Sequence, residues 1–318
     1  MLHYNIPSSE VTMLRNLFLL LVLCWSLPLA AAPRVVVSIG PVHSLVAGVM
    51  EGVGEPQLLI PAGASPHAYA LKPSDARALS EAELVVWVGE GLETVLEKPL
   101  HSLAGKAQQL ELMQVEGMHL LPSRKGGVWH AQQQEAHGGH THEHGVLDTH
   151  LWLAPENARR IVTAVAAALS GMDAANGPRY RRNAAALQQR IDELAVSLAQ
   201  RLEPLQGVSY IVFHDAYRYF EQAFGLQAAG AIAVSPEQRP GARRLLEIRQ
   251  AIRDRGARCV FSEPQFRPDI VEVVLEGSEA RHGVLDPLGV GLPAGREQWF
   301  GLMQGLADSL SACLASGS

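Results

Sequence analysis

Eight of the thirteen histidines of this chain occur in two kinds of setting. His130, His137, His140, His142 and His144 crowd into one polar stretch, HAQQQEAHGGHTHEH, among Gly, Gln, Glu and Thr. A neutral imidazole is a metal ligand, and several tethered together without a rigid frame chelate a divalent cation loosely. The alternative for this tract is a solvated low-complexity insertion with no role. His67 (GASPHAYA), His150 (DTHLWLAP) and His214 (YIVFHD) stand beside apolar runs instead. Asp286, in VLDPLG, follows another short apolar run and offers a carboxylate oxygen, although Asp before Pro is also a common turn cap.

The spacing fixes nothing by itself, because these residues lie tens of positions apart, unlike an HExxH pair. Taken singly, each histidine is more often a hydrogen-bonded structural residue, which is the reading for His43, His101, His119 and His282. Three imidazoles with one open position would also suit a hydrolytic zinc site, for which Glu263 in FSEPQF is the available general base. No motif fixes that base beside the three.

The elements that must position them read as α/β. RVVVSIG (34–40) and ELVVWVG (83–89) are β-branched runs ending in Gly, as buried parallel strands do. Between them LLIP reaches a turn and KPSDARALSEA begins a helix, which makes a right-handed βαβ unit. The last third repeats the plan. SYIVFHD (209–215) is a strand, and AYRYFEQAFG is a helix closed by Gly225. ARRLLEIRQAIRDRG is a second helix and leads into the strand ARCVFSEPQF. Strand ends in open α/β sheets face the crevice where ligands bind. Three histidines from two such lobes and their junction could therefore meet in one cleft.

Pro155 and Pro178 suit the first turns of two connecting helices, with Asn176-Gly177 between them. Leu187, Ile191, Leu194, Leu198 and Leu202 recur at helical spacing as a packing stripe. About 25 residues of helix span roughly 37 Å, enough for one stiff crossing along both lobes. The boundaries read as 1–31 signal, 32–154 first lobe with a histidine-rich loop at 126–147, 155–206 connecting helices and 207–318 second lobe.

At 318 residues, with 47% hydrophobic and 18% charged content, the chain has ample core. A net charge of -6 gives no reason to expect nucleic acid or an anionic membrane as partner. Arg15, the apolar run Leu17 to Trp25, Pro28 and the alanines after it form a secretory signal, with cleavage expected after Ala31 and a start at Met13. Leu23 before Cys24 is too large for a lipoprotein box, so the exported chain is expected to be soluble. Cys259 and Cys313 remain after cleavage. Export and an even count favour a disulfide over two buried free thiols.

Several motifs occur in one order: GASPHAYALKPSD, LVVWVG, HLWLAPE, VFHDAYRYFE, PEQRPGARRLLEIR, CVFSEPQFRP and LDPLG. In these the mature chain resembles, over essentially its whole length, the periplasmic metal-binding components of ABC importers, in particular the ZnuA-type zinc group. The resemblance implies two α/β lobes with largely parallel sheets joined by a long helix, with metal in the cleft. It implies Zn2+ bound by His67, His150 and His214. It also implies a monomer that serves an inner-membrane permease driven by a cytoplasmic ATPase, and no enzyme activity. A histidine-rich insertion before HLWL and a disulfide between two C-terminal cysteines are features of the same group. Manganese-binding relatives usually carry a carboxylate at the place of His214, and carboxylate oxygens suit manganese where imidazole suits zinc. One departure is Pro66. Some zinc members have Glu there, and that residue can approach the metal. Its absence leaves Asp286 or water as the fourth ligand.

Overall fold

The computed structural model describes residues 32–124, 147–233, 240–266 and 269–315. The segment expected to be a secretory signal and the tract holding His130, His137, His140, His142 and His144 lie outside the described residues. In the first lobe the β-branched runs form β1 (Val35–Val37) and β3 (Leu84–Trp87), and two more polar segments form β2 (Gln57–Leu58) and β4 (Gln108–Glu111). They pair in the order β2-β1-β3-β4, every pair parallel. The second lobe holds β5 (Tyr210–His214), β6 (Gly230–Ala233), β7 (Cys259–Ser262) and β8 (Arg281–Val284). Its order, β6-β5-β7-β8, is the same plan and again wholly parallel. The α/β class and the two related lobes expected from the sequence are both present.

Helices α1 (Gly40–Val49), α2 (Pro73–Glu81) and α3 (Glu97–Ser102) belong to the first lobe. α4 (Pro155–Met172) and α5 (Gly177–Leu202) connect, and α6 (Arg218–Phe224), α7 (Ala242–Asp254) and α8 (Asp269–Leu275) belong to the second. α9 (Gln298–Leu314) closes the described chain. α1 departs from the strand, loop, helix, strand reading. Gly40-Pro41 resembles a turn, yet Pro41 occupies the first helical turn, and every residue after Gly40 in this helix is buried. A helix buried all round shows no polar face and therefore no amphipathic period. Gly48 lets α1 approach α5, since a Cβ there would stand 2.9 Å from a methyl carbon of Leu187.

The crossing helix is as the stripe demands. Leu187, Ile191, Leu198 and Leu202 are buried, and Leu194 packs half-buried beside them. Its 26 residues extend about 39 Å at 1.5 Å per residue. Stiffness does not come from α5 alone, because α9 returns from the second lobe to pack on α1. The Trp299 amide donates to Ser44 Oγ at 3.0 Å, and the Trp299 indole N–H donates to the Trp152 carbonyl at 2.8 Å. The Trp152 indole in turn donates to the Pro287 carbonyl at 2.8 Å. Both indoles are fully buried, so the two sheets share one apolar core through this tryptophan pair.

Cys259 on β7 and Cys313 on α9 are joined, S–S 2.06 Å, across 54 residues. Closing a loop of that length in the unfolded chain contributes about 4 kcal/mol on the chain-entropy account. Cys259→Ser/Cys313→Ser is expected to lower the thermal midpoint by on the order of 10 °C, measured by calorimetry at equal zinc loading. Among the described residues no helix is long and apolar enough to cross a membrane.

Candidate metal site

His214 is the last residue of β5, and Glu263 is the first residue after β7. β5 lies between β6 and β7, so these two side chains flank the point where strand order reverses and the crevice opens. Glu263 Oε1 accepts from the His214 amide at 3.3 Å and from its Nδ1–H at 2.6 Å. His150 is set locally. Asp148 Oδ1 accepts from the His150 amide at 3.0 Å and from its Nδ1–H at 2.8 Å, and the chain then enters the turn Leu151–Leu153. His67 rides on the short turn Pro66–Ala68, started by Pro66.

These three histidines converge. One ring nitrogen from each lies within 4.8 Å of the others, and the ring centroids are 5.2 to 6.1 Å apart. A carboxylate on Nδ1 fixes the tautomer, leaving the lone pair on Nε2. His150 and His214 are both fixed in this way, and their Nε2 atoms face each other at 3.3 Å. Two bare lone pairs at that separation would repel, so the pair needs either a proton shared between the rings or a metal cation that replaces it. The wall around them is largely apolar, with Trp152, Phe266 and Leu288 among the lining, and His150 and His214 are only 7% and 5% exposed.

The electrostatics follow from this crowding. Burial, with the neighbouring His150 and His214 rings, lowers the His67 pKa to about 3. Burial also opposes charge on His214, but Glu263, and behind it Asp215 and Asp148, outweigh that and hold His214 above the ordinary imidazole value. The site therefore carries one imidazole that resists a proton and one that attracts it.

Asp286 is placed otherwise. Its Oδ1 accepts from the Leu288 and Gly289 amides at 3.1 and 2.9 Å and from Gln265 Nε2 at 2.8 Å, while Oδ2 accepts from the Val290 amide. It caps its own turn, and the converging group contains the three histidines without it. His43 bonds the Pro56 carbonyl, His119 pairs with Gln222 and His282 with Ser262, as structural histidines do. Asp148 had no role in the sequence reading. The signal for it was local, an Asp two residues before a ligand candidate, where an Asx-type turn brings the carboxylate onto the ring. The sequence offers Glu263 as a possible base, and the structure gives that carboxylate to His214 Nδ1–H instead.

Two parallel-sheet lobes bridged by one long helix, with buried imidazoles converging at the strand ends, define a two-lobed metal-binding protein. The family model described as "Zinc-uptake complex component A periplasmic" matches residues 35–313, and the chain belongs to that family. The chain is 41% identical over 308 residues to the high-affinity zinc uptake system protein ZnuA of Brucella suis, covering 88% of this chain and 91% of that one. It is 36% identical over 295 residues to the protein of the same name from Yersinia pestis, covering 89% and 92%. A crystal structure of ZnuA superposes with a TM-score of 0.75 at 26% identity, over 89% of this chain and 99% of the other.

Proposed function

We propose that this protein captures Zn2+ in the periplasm on His67, His150 and His214 and delivers it to an inner-membrane ABC permease and its cytoplasmic ATPase. The observation that carries the reading is the pair of facing Nε2 atoms, each oriented by a carboxylate on the far side of its ring, with His67 completing the group. The zinc-uptake names of its relatives support the same cargo. A nitrogen-only donor set favours zinc over manganese, whose sites are built from carboxylate and carbonyl oxygens. Water is the fourth ligand in this reading, because the oxygens of Asp286 are engaged by four donors.

A hydrolytic zinc site is the weaker reading. It needs a base free to take a proton from bound water, whereas Glu263 is committed to orienting His214. His130, His137, His140, His142 and His144 supply loose, low-affinity capture ahead of the cleft.

Calorimetric titration with zinc tests the whole reading. One tight site per chain is expected, together with a rise in thermal midpoint by mass action. Deleting residues 130–144 is expected to leave that tight site within about threefold of the parent and to remove only weak, superstoichiometric binding. Loss of the tight site in the deletion variant would place the principal ligands in the tract and sink the assignment.

A further inference from the structure

We propose that Arg124 is a specificity-determining residue of the three-histidine site: it holds the Asp215 carboxylate out of the cleft, so that an arriving cation meets imidazole nitrogen alone. This rests on the reading of His67, His150 and His214 as the ligands. Asp215 directly follows His214 at the end of β5. It does not line the cleft, but it is one of four carboxylates near it, and its charge acts on both His214 and His150. Glu263 and Asp148 each commit an oxygen to a ring N–H, and Asp286 is tied to the amides of its own turn. Those three restraints are built into the strand ends and turns themselves.

Asp215 is restrained differently, by a cation from elsewhere in the chain. Arg124, 91 residues earlier, donates from Nε to both carboxylate oxygens at 3.1 and 3.0 Å and from a terminal nitrogen to Oδ1 at 2.7 Å. The same terminal nitrogen donates to Glu221 Oε2 at 2.8 Å. The Arg124 and Asp215 side chains are each 15% exposed and that of Glu221 is 4% exposed, so this fork is desolvated, unlike a surface pair worth little. Its backbone is pinned as well. The Leu121 amide donates to Tyr219 Oη, and Tyr219 Oη donates to the Asp148 carbonyl, which ties this segment to the loop carrying His150.

The chemistry gives the restraint a purpose. Zinc accepts nitrogen donors readily, while manganese and magnesium are selected by hard oxygen donors. An anionic oxygen one residue from His214, if freed, would supply such a donor. It would raise the coordination number and erode the advantage of zinc. A purely structural ion cluster would leave selectivity untouched, and this separates the two roles.

Arg124→Gln alone would strand two buried carboxylates, so the working variant is Arg124→Gln/Glu221→Gln. The amide at position 221 still accepts from Tyr210 Oη and the Ala228 amide, which bond Glu221 Oε1 in the parent. Zn2+ and Mn2+ affinities are measured by competition, and coordination by the visible spectrum of the Co2+ form. The zinc-over-manganese affinity ratio is expected to fall by about tenfold or more, the range found when groups just outside a metal's ligands are lost. The Co2+ bands are expected to weaken as coordination rises above four. Both changes should reverse when Asp215→Asn is added. An unchanged ratio and spectrum in the double variant, or a change that persists with Asp215→Asn, overturns the proposal. His150→Ala is run in parallel. If it binds zinc as the parent does, the ligand assignment falls, and this inference with it. If it is impaired while the Arg124 variant discriminates normally, only this inference falls.

Discussion

His150→Ala is expected to weaken zinc binding by roughly 10²–10³-fold, measured by competition with a chelator of known affinity. The magnitude comes from sharing the ~10–16 kcal/mol apparent binding energy of a four-ligand structural zinc site over its ligands, about 2.5–4 kcal/mol each. The loss is expected to be specific, because His150 touches the site from a turn held independently by Asp148, Leu121 and Tyr219. The apo variant should therefore keep its thermal midpoint within a few degrees while losing the zinc-dependent rise. His214→Ala should weaken zinc equally and cost comparable stability, since each change leaves a buried carboxylate, Glu263 or Asp148, without its ring partner. Equal zinc affinity in His150→Ala and the parent would remove His150 from the site.

The division between His150 and the five histidines before it was legible because apolar neighbours mark an ordered segment and Gly, Gln and Glu do not. The strand ends carrying His214 and Glu263 were legible as well, from β-branched runs stopped by polar residues. What joins them was not. His214 and Glu263 are 49 residues apart, and only the parallel register of β5 with β7 brings them together. α1 was hidden by burial on every side, and β4 by its place at a sheet edge, where Gln108, Gln109 and Glu111 need no apolar alternation. Asp286 shows the converse. Its sequence setting suits a ligand and a turn cap equally, and three amides of its own turn show which use the fold makes of it. Arg124 had no sequence signal at all, because its partners lie 91 and 97 residues away.

Zinc affinity is expected to fall as pH drops below neutrality, by about tenfold per unit for each imidazole that must lose a proton to bind. The two ends of the site contribute to apo stability with opposite sign. His67, lowered from 6.5 to about 3, is already neutral throughout the accessible range and adds no slope to zinc binding. It does add a slope to folding. Between about 6.5 and 3 the unfolded chain binds a proton on His67 that the folded chain refuses, so this residue makes the apo protein less stable as pH falls through that window. His214 is raised, so its contribution to apo stability is present below the ordinary imidazole value and is lost as pH rises through its own higher value. Below that value, the proton on His214 is one that zinc must displace. His67→Ala should thus lower zinc affinity at every pH while leaving the slope of log Kd against pH unchanged. Glu263→Gln removes the charge that outweighs burial at His214, and should shift the onset of the acid loss to lower pH. Titrating zinc calorimetrically in two buffers of different ionisation enthalpy counts the released protons directly. Below the ordinary imidazole value, release in the parent that diminishes in Glu263→Gln is the expected result, and identical release in both would remove His214 as the proton-bearing ligand.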